Sequence, residues 1–423
     1  MLYQAPRGTT DILPEEQAYW RYIEQKAAEI CRLYGYQRID TPVFEDTNLF
    51  SRTAGEDTDI VQKEMYTFAD RGGDSMTLRP EGTAPVCRAY LEHGMNNLPQ
   101  PVKLYYISPI FRYDRPQAGR YRQHHQFGCE IIGDADPAID AQVIDTAWQF
   151  YQSLGLDKLV LKLNSIGCKQ CRPGYLTALQ EYYVKYSASL CPDCQSRQKR
   201  NPLRLLDCKN PSCQQIADSA PSSTDCLCPE CASHFRQLQH YLTLFGLTPA
   251  VDHRLVRGLD YYTRTVFEIQ PEVEGGQSTI GGGGRYDNLI EELGGKSTPA
   301  IGFGTGIERI ILNLKRQDIP VPALPAPQLF IACIGDEAKD QAIKLAAMLR
   351  KDGIGVLEAT GSKSLKAQLR QANNLNMRFA VIIGEEELKN NTVILRDMST
   401  AEQETVPLDK LLYKFRALIQ IHK

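Results

Sequence analysis

The chain has 423 residues, with 48 lysines and arginines against 51 aspartates and glutamates, and a net charge of −3. This length predicts two or three domains with large apolar cores. The balanced charge excludes a uniformly basic nucleic-acid-binding protein, so any contact with RNA must depend on local patches. The N-terminus has no signal-peptide pattern and no apolar run is long enough to cross a bilayer, so we expect a cytoplasmic protein without a membrane segment.

The N-terminal region predicts a helix followed by a strand. Apolar residues recur at helical spacing over residues 15–34, and Gly35 is expected to end that helix. Residues 36–45 have the composition of a strand, in which Pro42 is tolerated only at an edge or a bulge. Taken alone, this pattern indicates nothing beyond ordinary packing of a helix on a sheet.

A short strand and a tight turn are predicted over residues 75–83. Gly82 and the proline two residues before it favour a turn that presents Glu81 and Thr83. An acidic side chain beside a hydroxyl can bind the ammonium group of a small ligand. The alternative is a purely structural turn in which Thr83 caps a helix over residues 84–91, and the sequence leaves both interpretations open.

Residues 103–132 predict a hairpin with a basic loop. Its two arms, residues 103–111 and 127–132, are rich in β-branched and aromatic residues. The connection contains Arg112, Arg115, Arg120 and Arg122. An exposed, solvated loop is one interpretation, because charge-rich loops are usually wet. A cationic loop next to an inward-facing acid also suits a triphosphate held beside an amine-bearing substrate.

The returning strand of this hairpin has an unusual face. Alternation places Gln126, Gly128 and Glu130 together, whereas a core face would be apolar. The missing side chain at Gly128 predicts a gap in which a small polar ligand lies against the backbone. A helix over residues 136–154 and a strand over residues 158–166 are expected to follow.

Residues 167–249 differ from the rest in composition, because nine of the 13 cysteines lie between Cys168 and Cys231. In a cytosolic chain this clustering indicates metal binding before disulfides. Two CxxC pairs, Cys168/Cys171 and Cys191/Cys194, supply the four thiolates of a tetrahedral zinc site. The other cysteines of the segment, which leave the choice of ligands open, are Cys208, Cys213, Cys226, Cys228 and Cys231. The alternative is a helical insert with reduced, unliganded thiols.

Two further stretches predict close contact between backbone and ligand. Residues 254–269 (RLVRGLDYYTRTVFEI) predict a turn at Arg257 followed by a strand, and the adjacent glycine lets the guanidinium approach a ligand. Residues 281–284 are four glycines, which suit either close approach to a ligand or a flexible loop. Residues 302–309 then lead into an apolar helix, at a spacing that does not match a dinucleotide fingerprint.

The remainder predicts a separate small domain. Residues 320–327 (PVPALPAP) are a proline-rich linker. Strands and helices alternate beyond it, which indicates an α/β domain with a mixed sheet.

Several of these stretches together resemble the class II aminoacyl-tRNA synthetases, and the histidyl family in particular. Residues 36–45 resemble motif 1, the run from Phe111 to Glu130 (FRYDRPQAGRYRQHHQFGCE) resembles motif 2, and residues 302–309 resemble motif 3. The RGLDYY run resembles the histidine-binding motif of that family. The resemblance extends from QAPRGTTDILP near the N-terminus to the final helix, with the Cys-rich insert matching least.

The resemblance implies an α+β fold. It predicts a class II synthetase catalytic core with an antiparallel sheet (1–166 and 250–320), a Cys-rich helical insertion domain (167–249), a linker (321–327) and a C-terminal α/β anticodon-binding domain (328–423). It also implies the activity of a histidine–tRNA ligase. Such an enzyme activates L-histidine with ATP and Mg²⁺ to histidyl-adenylate and pyrophosphate, then transfers histidine to the 3′ end of tRNA(His). Motif 1 implies a homodimer.

The resemblance assigns a role to individual side chains, with Arg112 and Arg257 as the catalytic pair. The implied histidine-binding residues are Glu81, Gly82, Thr83, Arg112, Gln126, Glu130, Arg257, Tyr261, Tyr262 and Tyr286. The implied ATP-binding residues are Arg112, Arg120, Tyr121, His124 and Arg309, and the tRNA acceptor end is assigned to Arg115 and Gln117. At His124 many family members have phenylalanine. Structural zinc, which the family does not generally require, is assigned to Cys168, Cys171, Cys191 and Cys194. We expect residues 112, 130, 257 and 309 to converge on one cleft.

Two other functions fit parts of the sequence. A paralogue of these synthetases is the regulatory subunit of ATP phosphoribosyltransferase, which senses histidine without charging tRNA. It typically lacks the anticodon-binding domain and an intact RGLDYY run, and both are present here. A zinc-ribbon RNA-binding protein would account for the cysteines, but it would leave Arg112, Arg257 and Arg309 without a role.

Overall fold

The computed structural model describes residues 3–55, 58, 60–117, 119–272, 279–359 and 363–420. The chain forms two compact units, Met1–Pro322 and Ala323–Lys423. The helices of the first unit are α1 (Gln17–Tyr34), α2 (Thr47–Ala54), α3 (Thr83–Glu92), α4 (Pro137–Ser153), α5 (Arg172–Val184), α6 (Pro192–Arg200), α7 (Pro211–Asp218), α8 (Pro229–Leu244), α9 (Leu289–Glu292) and α10 (Ile307–Arg316). Its strands are β1 (Gln37–Arg38), β2 (Phe44–Asp46), β3 (Tyr66–Ala69), β4 (Ser75–Leu78), β5 (Val102–Phe111), β6 (Gln123–Ile132), β7 (Leu159–Ser165), β8 (Ala250–Val251), β9 (Thr263–Pro271), β10 (Gly281–Arg285) and β11 (Ala300–Gly306).

An eight-stranded sheet organises the first unit, in the order β1-β5-β6-β11-β10-β9-β7-β8. Its six central strands pair antiparallel, and only the short outer strands β1 and β8 pair parallel to their neighbours. The predicted antiparallel catalytic sheet is therefore confirmed. The hairpin β5–β6 forms as the alternation indicated, with Phe111 opposite Gln123 at its open end.

One face of this sheet is covered by helices. Helix α1 ends where the sequence predicted, because Gly35 adopts a left-handed conformation (φ 79°) that favours glycine. The shared core includes Ile23 of α1, Phe150 of α4, Leu238 of α8 and Phe303 of β11, all almost completely buried. The other face of the central strands carries the polar side chains of the candidate site, since Gln126 and Glu130 alternate with Phe127 and Ile131 of the core.

The strand predicted over residues 36–45 does not form as one element. It divides into β1, which joins the large sheet beside β5, and β2, which joins a separate three-stranded sheet in the order β2-β4-β3. Pro42 lies in the break, where the missing backbone donor interrupts the ladder.

The four-glycine run forms strand β10 and not a loop. All five residues of β10 are buried between β9 and β11. A Cβ at Gly283 would lie 2.0 Å from the Gly302 carbonyl oxygen, and one at Gly281 would lie 2.0 Å from the Tyr151 hydroxyl. The glycines therefore permit close packing within the protein. Of the two alternatives for this run, the flexible loop is excluded.

The Cys-rich segment between β7 and β8 is helical. Its four helices, α5 to α8, agree with the helical insertion domain that the resemblance implied. The apolar side chains of Tyr175, Leu179 and Tyr183 on α5 pack with Leu205 and Ile216. The segment therefore has an apolar core of its own, which is continuous with the side chains around Tyr261 and Tyr286.

The second unit is a mixed α/β domain, as predicted. Its strands are β12 (Leu329–Cys333), β13 (Val356–Glu358), β14 (Phe379–Ile383), β15 (Thr392–Asp397) and β16 (Gln403–Pro407), and its helices are α11 (Asp336–Lys351), α12 (Leu365–Asn374), α13 (Glu385–Lys389) and α14 (Leu411–Gln420). The sheet order is β13-β12-β14-β15-β16, with the first three strands parallel and the last two antiparallel. Strand β16 and helix α13 were missed, because β16 is mostly polar and exposed at the sheet edge.

Candidate active site

A cavity of ≈1320 Å³ opens at the polar ends of the central strands. The predicted site residues that line it are Arg112, Gln117, Arg120, Tyr121, His124, Gln126, Arg257 and Arg309. They come from the β5–β6 hairpin, the segment before β9, and helix α10. The structure thus brings together three guanidinium groups, at residues 112, 257 and 309, that are far apart in sequence.

Each of these arginines is held by an acceptor of the protein itself. Arg112 Nε donates to the Pro80 carbonyl at 2.7 Å, and Arg309 donates to Gly119 at 3.0 Å and to Thr279 at 2.9 Å. Arg257 Nη1 pairs with Glu268 Oε1 at 2.7 Å. Within the described part of the chain, the buried Nε of Arg257 has no hydrogen-bond partner. Arg257 lines the cavity, so we consider this donor a candidate partner for a bound ligand.

The cavity wall carries acids as well as bases, and within it Arg112, Arg120, Arg257 and Arg309 form a cationic group. Burial lowers the pKa of Arg309, and the positive charges of Arg120 and Arg112 lower it further. Burial, followed by the charges of Arg112 and Arg309, lowers the pKa of His124 to about 3, so its ring is neutral at physiological pH. Cations placed this close repel one another, and a bound polyanion would relieve that repulsion. The electrostatics favour a phosphate-rich ligand.

Behind the cavity wall lies a buried carboxylate, Glu130, which is only 1 % exposed. Thr83 Oγ1 donates to its Oε1 at 2.8 Å, and the Tyr286 hydroxyl donates to its Oε2 at 2.5 Å. The Tyr106 hydroxyl lies 3.5 Å from Oε1. Burial raises the pKa of Glu130 to about 8, although the Tyr286 and Thr83 hydroxyls favour the ionised form. Glu130 is therefore a buried acid whose protonation changes close to neutral pH.

A second buried acid, Glu81, caps helix α3. Its carboxylate accepts hydrogen bonds from the backbone N–H groups of Thr83 (2.6 Å) and Ala84 (2.8 Å). The Tyr261 hydroxyl lies 3.5 Å from the same carboxylate, and burial raises the pKa of Glu81. The predicted capping turn is present, but Glu81 supplies the cap, and the Thr83 hydroxyl is directed at Glu130 instead.

The RGLDYY segment joins the cavity to these buried acids. The rings of Tyr261 and Tyr262 lie 4.7 Å apart, and the Arg257 guanidinium lies 5.8 Å from the Tyr262 ring. Tyr261 also packs edge-on against Tyr286, with ring centroids 5.7 Å apart. A continuous set of contacts therefore runs from Arg257 at the cavity surface to Glu130 beneath it.

Two details differ from the predictions. Arg112, Arg257 and Arg309 line the cavity, whereas Glu130 is buried behind its wall. Of the four residues expected to converge on one cleft, only the three arginines therefore line it. The predicted gap over Gly128 is filled, because a Cβ there would lie 2.3 Å from the Tyr106 ring. Gly128 makes room for Tyr106 and not for a ligand.

The motif 2 loop carries the remaining predicted residues. Arg120 pairs with Asp114 at 3.1 Å and is 45 % exposed. Arg115 and Gln117 are exposed, and Gln117 lies at the cavity rim. The loop thus presents polar side chains to solvent at the cavity entrance.

Sequence reasoning missed two side chains. Glu268, which orients Arg257, also accepts from Thr279 Oγ1 at 2.7 Å and from Gln270 Nε2 at 2.9 Å. Its signal was an acid between the apolar residues Phe267 and Ile269 of strand β9. Tyr106 gave no signal, because an aromatic residue in a strand is ordinarily part of the core.

The predicted zinc ligands separate into two groups. The first cysteine cluster is Cys168, Cys171, Cys228 and Cys231, and the second is Cys191, Cys194, Cys208 and Cys213. Within each cluster the ligand atoms lie within 4.8 Å of one another, so each could hold a metal ion. The sequence suggested that the two CxxC pairs share one site. They do not, because each CxxC pair lies together with two cysteines from later in the chain.

Comparisons with known proteins agree with this geometry. Residues 8–170 and 212–310, more than half of the chain, match the family described as Histidyl-tRNA synthetase. The chain belongs to the histidyl-tRNA synthetase family. Residues 328–418 match the family described as Anticodon binding domain, and the match to the synthetase family is interrupted at residues 171–211, inside the Cys-rich segment.

Individual relatives support the same assignment. The chain is 62 % identical over 418 residues to a histidine–tRNA ligase of Dehalococcoides mccartyi, covering 99 % of this chain and 100 % of that protein. It is 54 % identical over 417 residues to one of Desulforamulus reducens, with 99 % and 100 % coverage. The crystal structure of apo S. aureus histidyl-tRNA synthetase matches with a TM-score of 0.82 and 41 % identity, covering 98 % of this chain and all of that one. Among the described residues, no helix is both long and apolar enough to cross a membrane.

Proposed function

We infer that the chain is a histidine–tRNA ligase. The observation that carries this inference is the juxtaposition of a cavity lined by Arg112, Arg257 and Arg309 with a buried cluster of polar side chains around Glu130 and Tyr262. The first environment suits a triphosphate, and the second suits a small aromatic heterocycle with one donor and one acceptor. The substrates are L-histidine, ATP and tRNA(His).

In the first step the histidine carboxylate attacks the α-phosphorus of ATP, and pyrophosphate leaves. Negative charge develops on the α-phosphoryl oxygens, and Arg112 and Arg257 are placed to offset it, each contributing a few kcal/mol. The unpartnered Nε of Arg257 supplies a donor, while Glu268 fixes its other end. Bound Mg²⁺ would offset negative charge on the phosphates and so assist departure of pyrophosphate. Neither this activation step nor the later transfer of histidine to tRNA requires a side-chain nucleophile.

The α-amino end of histidine is assigned to Glu81, Thr83 and Gln126. The Gln126 amide reaches across strand β11, where Gly304 has no side chain and a Cβ would lie 1.7 Å from Nε2. Gly82 makes similar room for Tyr106. Holding the ammonium group there would direct the carboxylate at phosphorus, which lowers the entropic cost of reaction.

The imidazole ring is assigned to Glu130 and Tyr262, with Tyr261 and Tyr286 completing the pocket. A neutral imidazole has one donor and one acceptor. Glu130, as a carboxylate, would accept from one ring nitrogen, and Tyr262 would serve the other. An amino acid without that pair would leave a buried acid unpartnered, which in comparable polar pockets gives discrimination of about 10⁴.

The nucleotide is assigned to the outer cavity. His124 would stack on the adenine as a neutral ring, Arg309 would hold the γ-phosphate, and Arg120 and Tyr121 would line the remaining side. Arg115 and Gln117, exposed at the entrance, are assigned to the acceptor end of tRNA.

The larger organisation follows from these assignments. We assign residues 1–166 and 250–320 to the catalytic core, 167–249 to the insertion domain, 321–327 to the linker and 328–423 to tRNA anticodon binding. Charging of tRNA serves protein synthesis, so we assign the enzyme to the cytoplasm. The four-thiolate clusters are assigned to structural Zn²⁺, for which such ligand sets are typical.

We expect the protein to be a homodimer. Phe44 and Phe68 form an exposed aromatic pair, 51 % and 43 % exposed with ring centroids 6.2 Å apart, and Val43 beside them is also exposed. Burial of such a patch against a second copy would stabilise a dimer.

Sedimentation equilibrium should give twice the chain mass of 47.6 kDa, and Phe44→Glu should shift the measured mass toward that of the monomer. A wild-type protein that sediments as a monomer at micromolar concentration would contradict the dimer.

Two assays test the proposed function. ATP–pyrophosphate exchange should depend on histidine and be at background with the other amino acids, and the same protein should attach histidine to tRNA(His). A histidine-sensing regulatory subunit would bind histidine but show neither exchange nor charging. Absence of both activities in a folded, histidine-binding protein would favour the regulator.

A further inference from the structure

The two cysteine clusters have the dimensions of single-ion sites. In the first, the Sγ atom of Cys168 lies 3.7 Å from that of Cys171 and 3.9 Å from that of Cys228. In the second, the Sγ atoms of Cys191 and Cys208 lie 3.8 Å apart. A tetrahedral ion with zinc–sulfur bonds of about 2.3 Å places its sulfurs about 3.8 Å apart. A disulfide would require about 2.0 Å, and a polynuclear iron–sulfur cluster needs a wider cage.

The surroundings of the sulfurs also suit thiolates. Backbone N–H groups donate to Cys171 Sγ (3.2 Å, from Cys168) and to Cys213 Sγ (3.3 Å, from Cys191). Cys171, Cys191 and Cys228 are the N-cap residues of α5, α6 and α8. The positive end of a helix dipole stabilises a negative sulfur there. Geometry, donors and dipoles thus all point to bound cations.

Each cluster is connected to one side of the RGLDYY segment. Arg172, which follows Cys171, donates from Nη2 to the Tyr262 carbonyl and from Nε to the Ile166 carbonyl (3.3 Å). On the other side, Asn201, which follows α6, donates from Nδ2 to Asp260 Oδ1 at 2.8 Å. Cys191 and Cys208 themselves lie in the wall of the cavity.

We propose that the insert holds two zinc ions, one in each cysteine cluster, and that the ion of the first cluster fixes Tyr262 through Arg172. Cys226 belongs to neither site. The metal content is independent of the enzymatic activity, whereas the effect on Tyr262 rests on the proposed function.

The first test is elemental analysis of full-length protein purified without chelator. The wild type should contain two zinc ions per chain, and Cys213→Ser and Cys231→Ser should each contain one. Cys226→Ser is the matched control and should retain two. One ion or fewer per wild-type chain, or loss of zinc in Cys226→Ser, would overturn the two-site proposal. If a serine variant does not fold, the cobalt-substituted wild type replaces it. Two equivalents of cobalt with tetrahedral thiolate absorption bands are expected, and one equivalent would refute two sites.

The second test separates positioning from general stability. Arg172→Met should keep both zinc ions and raise the KM for histidine about tenfold or more, with the KM for ATP little changed. Cys231→Ser should raise the KM for histidine in the same way, and Cys226→Ser should not. An unchanged KM for histidine in an active Arg172→Met enzyme would refute the positioning role and leave the zinc sites standing. If neither the wild type nor any variant charges tRNA, the proposed function fails, but the zinc content still tests the two-site proposal.

Discussion

Replacing Arg257 by glutamine should lower kcat/KM for histidine-dependent pyrophosphate exchange by about 10²- to 10³-fold. The guanidinium is fixed by Glu268 on one side and offers a buried, unpartnered Nε on the other. Its charge is therefore prepositioned for the α-phosphoryl oxygens and requires little reorganisation during reaction. Most of the loss should appear in kcat, because the contact strengthens as charge develops in the transition state.

A matched control lies three residues earlier in the chain. Arg254 pairs with Asp218 Oδ1 at 2.5 Å, and we assign it no contact with the reacting atoms. Arg254→Gln should retain exchange within a few-fold of the wild type. Exchange that is equally reduced in both variants would show that Arg257 acts only through the general cationic field of the cavity. Near-normal exchange in Arg257→Gln would remove it from the mechanism.

Replacing Glu130 should impair histidine activation far more than it impairs stability. Glutamine is nearly isosteric. Its carbonyl oxygen can accept from one of the hydroxyls of Thr83 and Tyr286, and its amide can donate to the other, so the fold should tolerate it. Above pH 8, where Glu130 is ionised, loss of its charge should raise the KM for histidine by about 10²-fold, corresponding to a charge-assisted hydrogen bond of about 1.5–3 kcal/mol. Glu130→Ala should lose more, since three hydroxyl groups then lack their acceptor.

Steady-state exchange and thermal unfolding should be measured on the same preparations. A variant with a near-normal kcat/KM would place Glu130 outside the histidine pocket. A large fall in the melting temperature together with weak activity would assign it a structural role instead.

The raised pKa of Glu130 also predicts how histidine binding depends on pH. Because burial raises this pKa to about 8, the carboxylate in the free enzyme is mostly protonated at pH 7 and ionised above pH 8. If the ionised form accepts the imidazole N–H, the KM for histidine should fall as pH rises from 7 to 8, by up to about tenfold per unit. Free imidazole has a reference pKa near 6.5, so its own titration is largely complete by then. Glu130→Gln should remove this slope, and an unchanged slope would assign it to another group.

Local patterns were sufficient to predict much of the fold. The β5–β6 hairpin followed from alternation and the helix α1 from apolar spacing and a terminal Gly35, since both depend on neighbours within a few residues. The role of the RGLDYY run came from its resemblance to a known family. Nothing local distinguishes Arg257 from a surface arginine in a turn.

Features that depend on distant partners could not be predicted. The Cys168/Cys171 pair is joined by Cys228 and Cys231, about 60 residues later, and spacing alone does not specify that pairing. Gly128 makes room for Tyr106, and the run beginning at Gly281 is a buried strand because its neighbours pack so closely. In each case a missing side chain indicated a close approach, but not which group approaches.

The most direct test is a crystal structure of the protein with histidine and a non-hydrolysable ATP analogue. The α-phosphate should lie within hydrogen-bonding distance of both Arg112 and Arg257, with the imidazole between Glu130 and Tyr262. A histidine ring bound elsewhere, or a triphosphate that contacts none of Arg112, Arg257 and Arg309, would contradict the account.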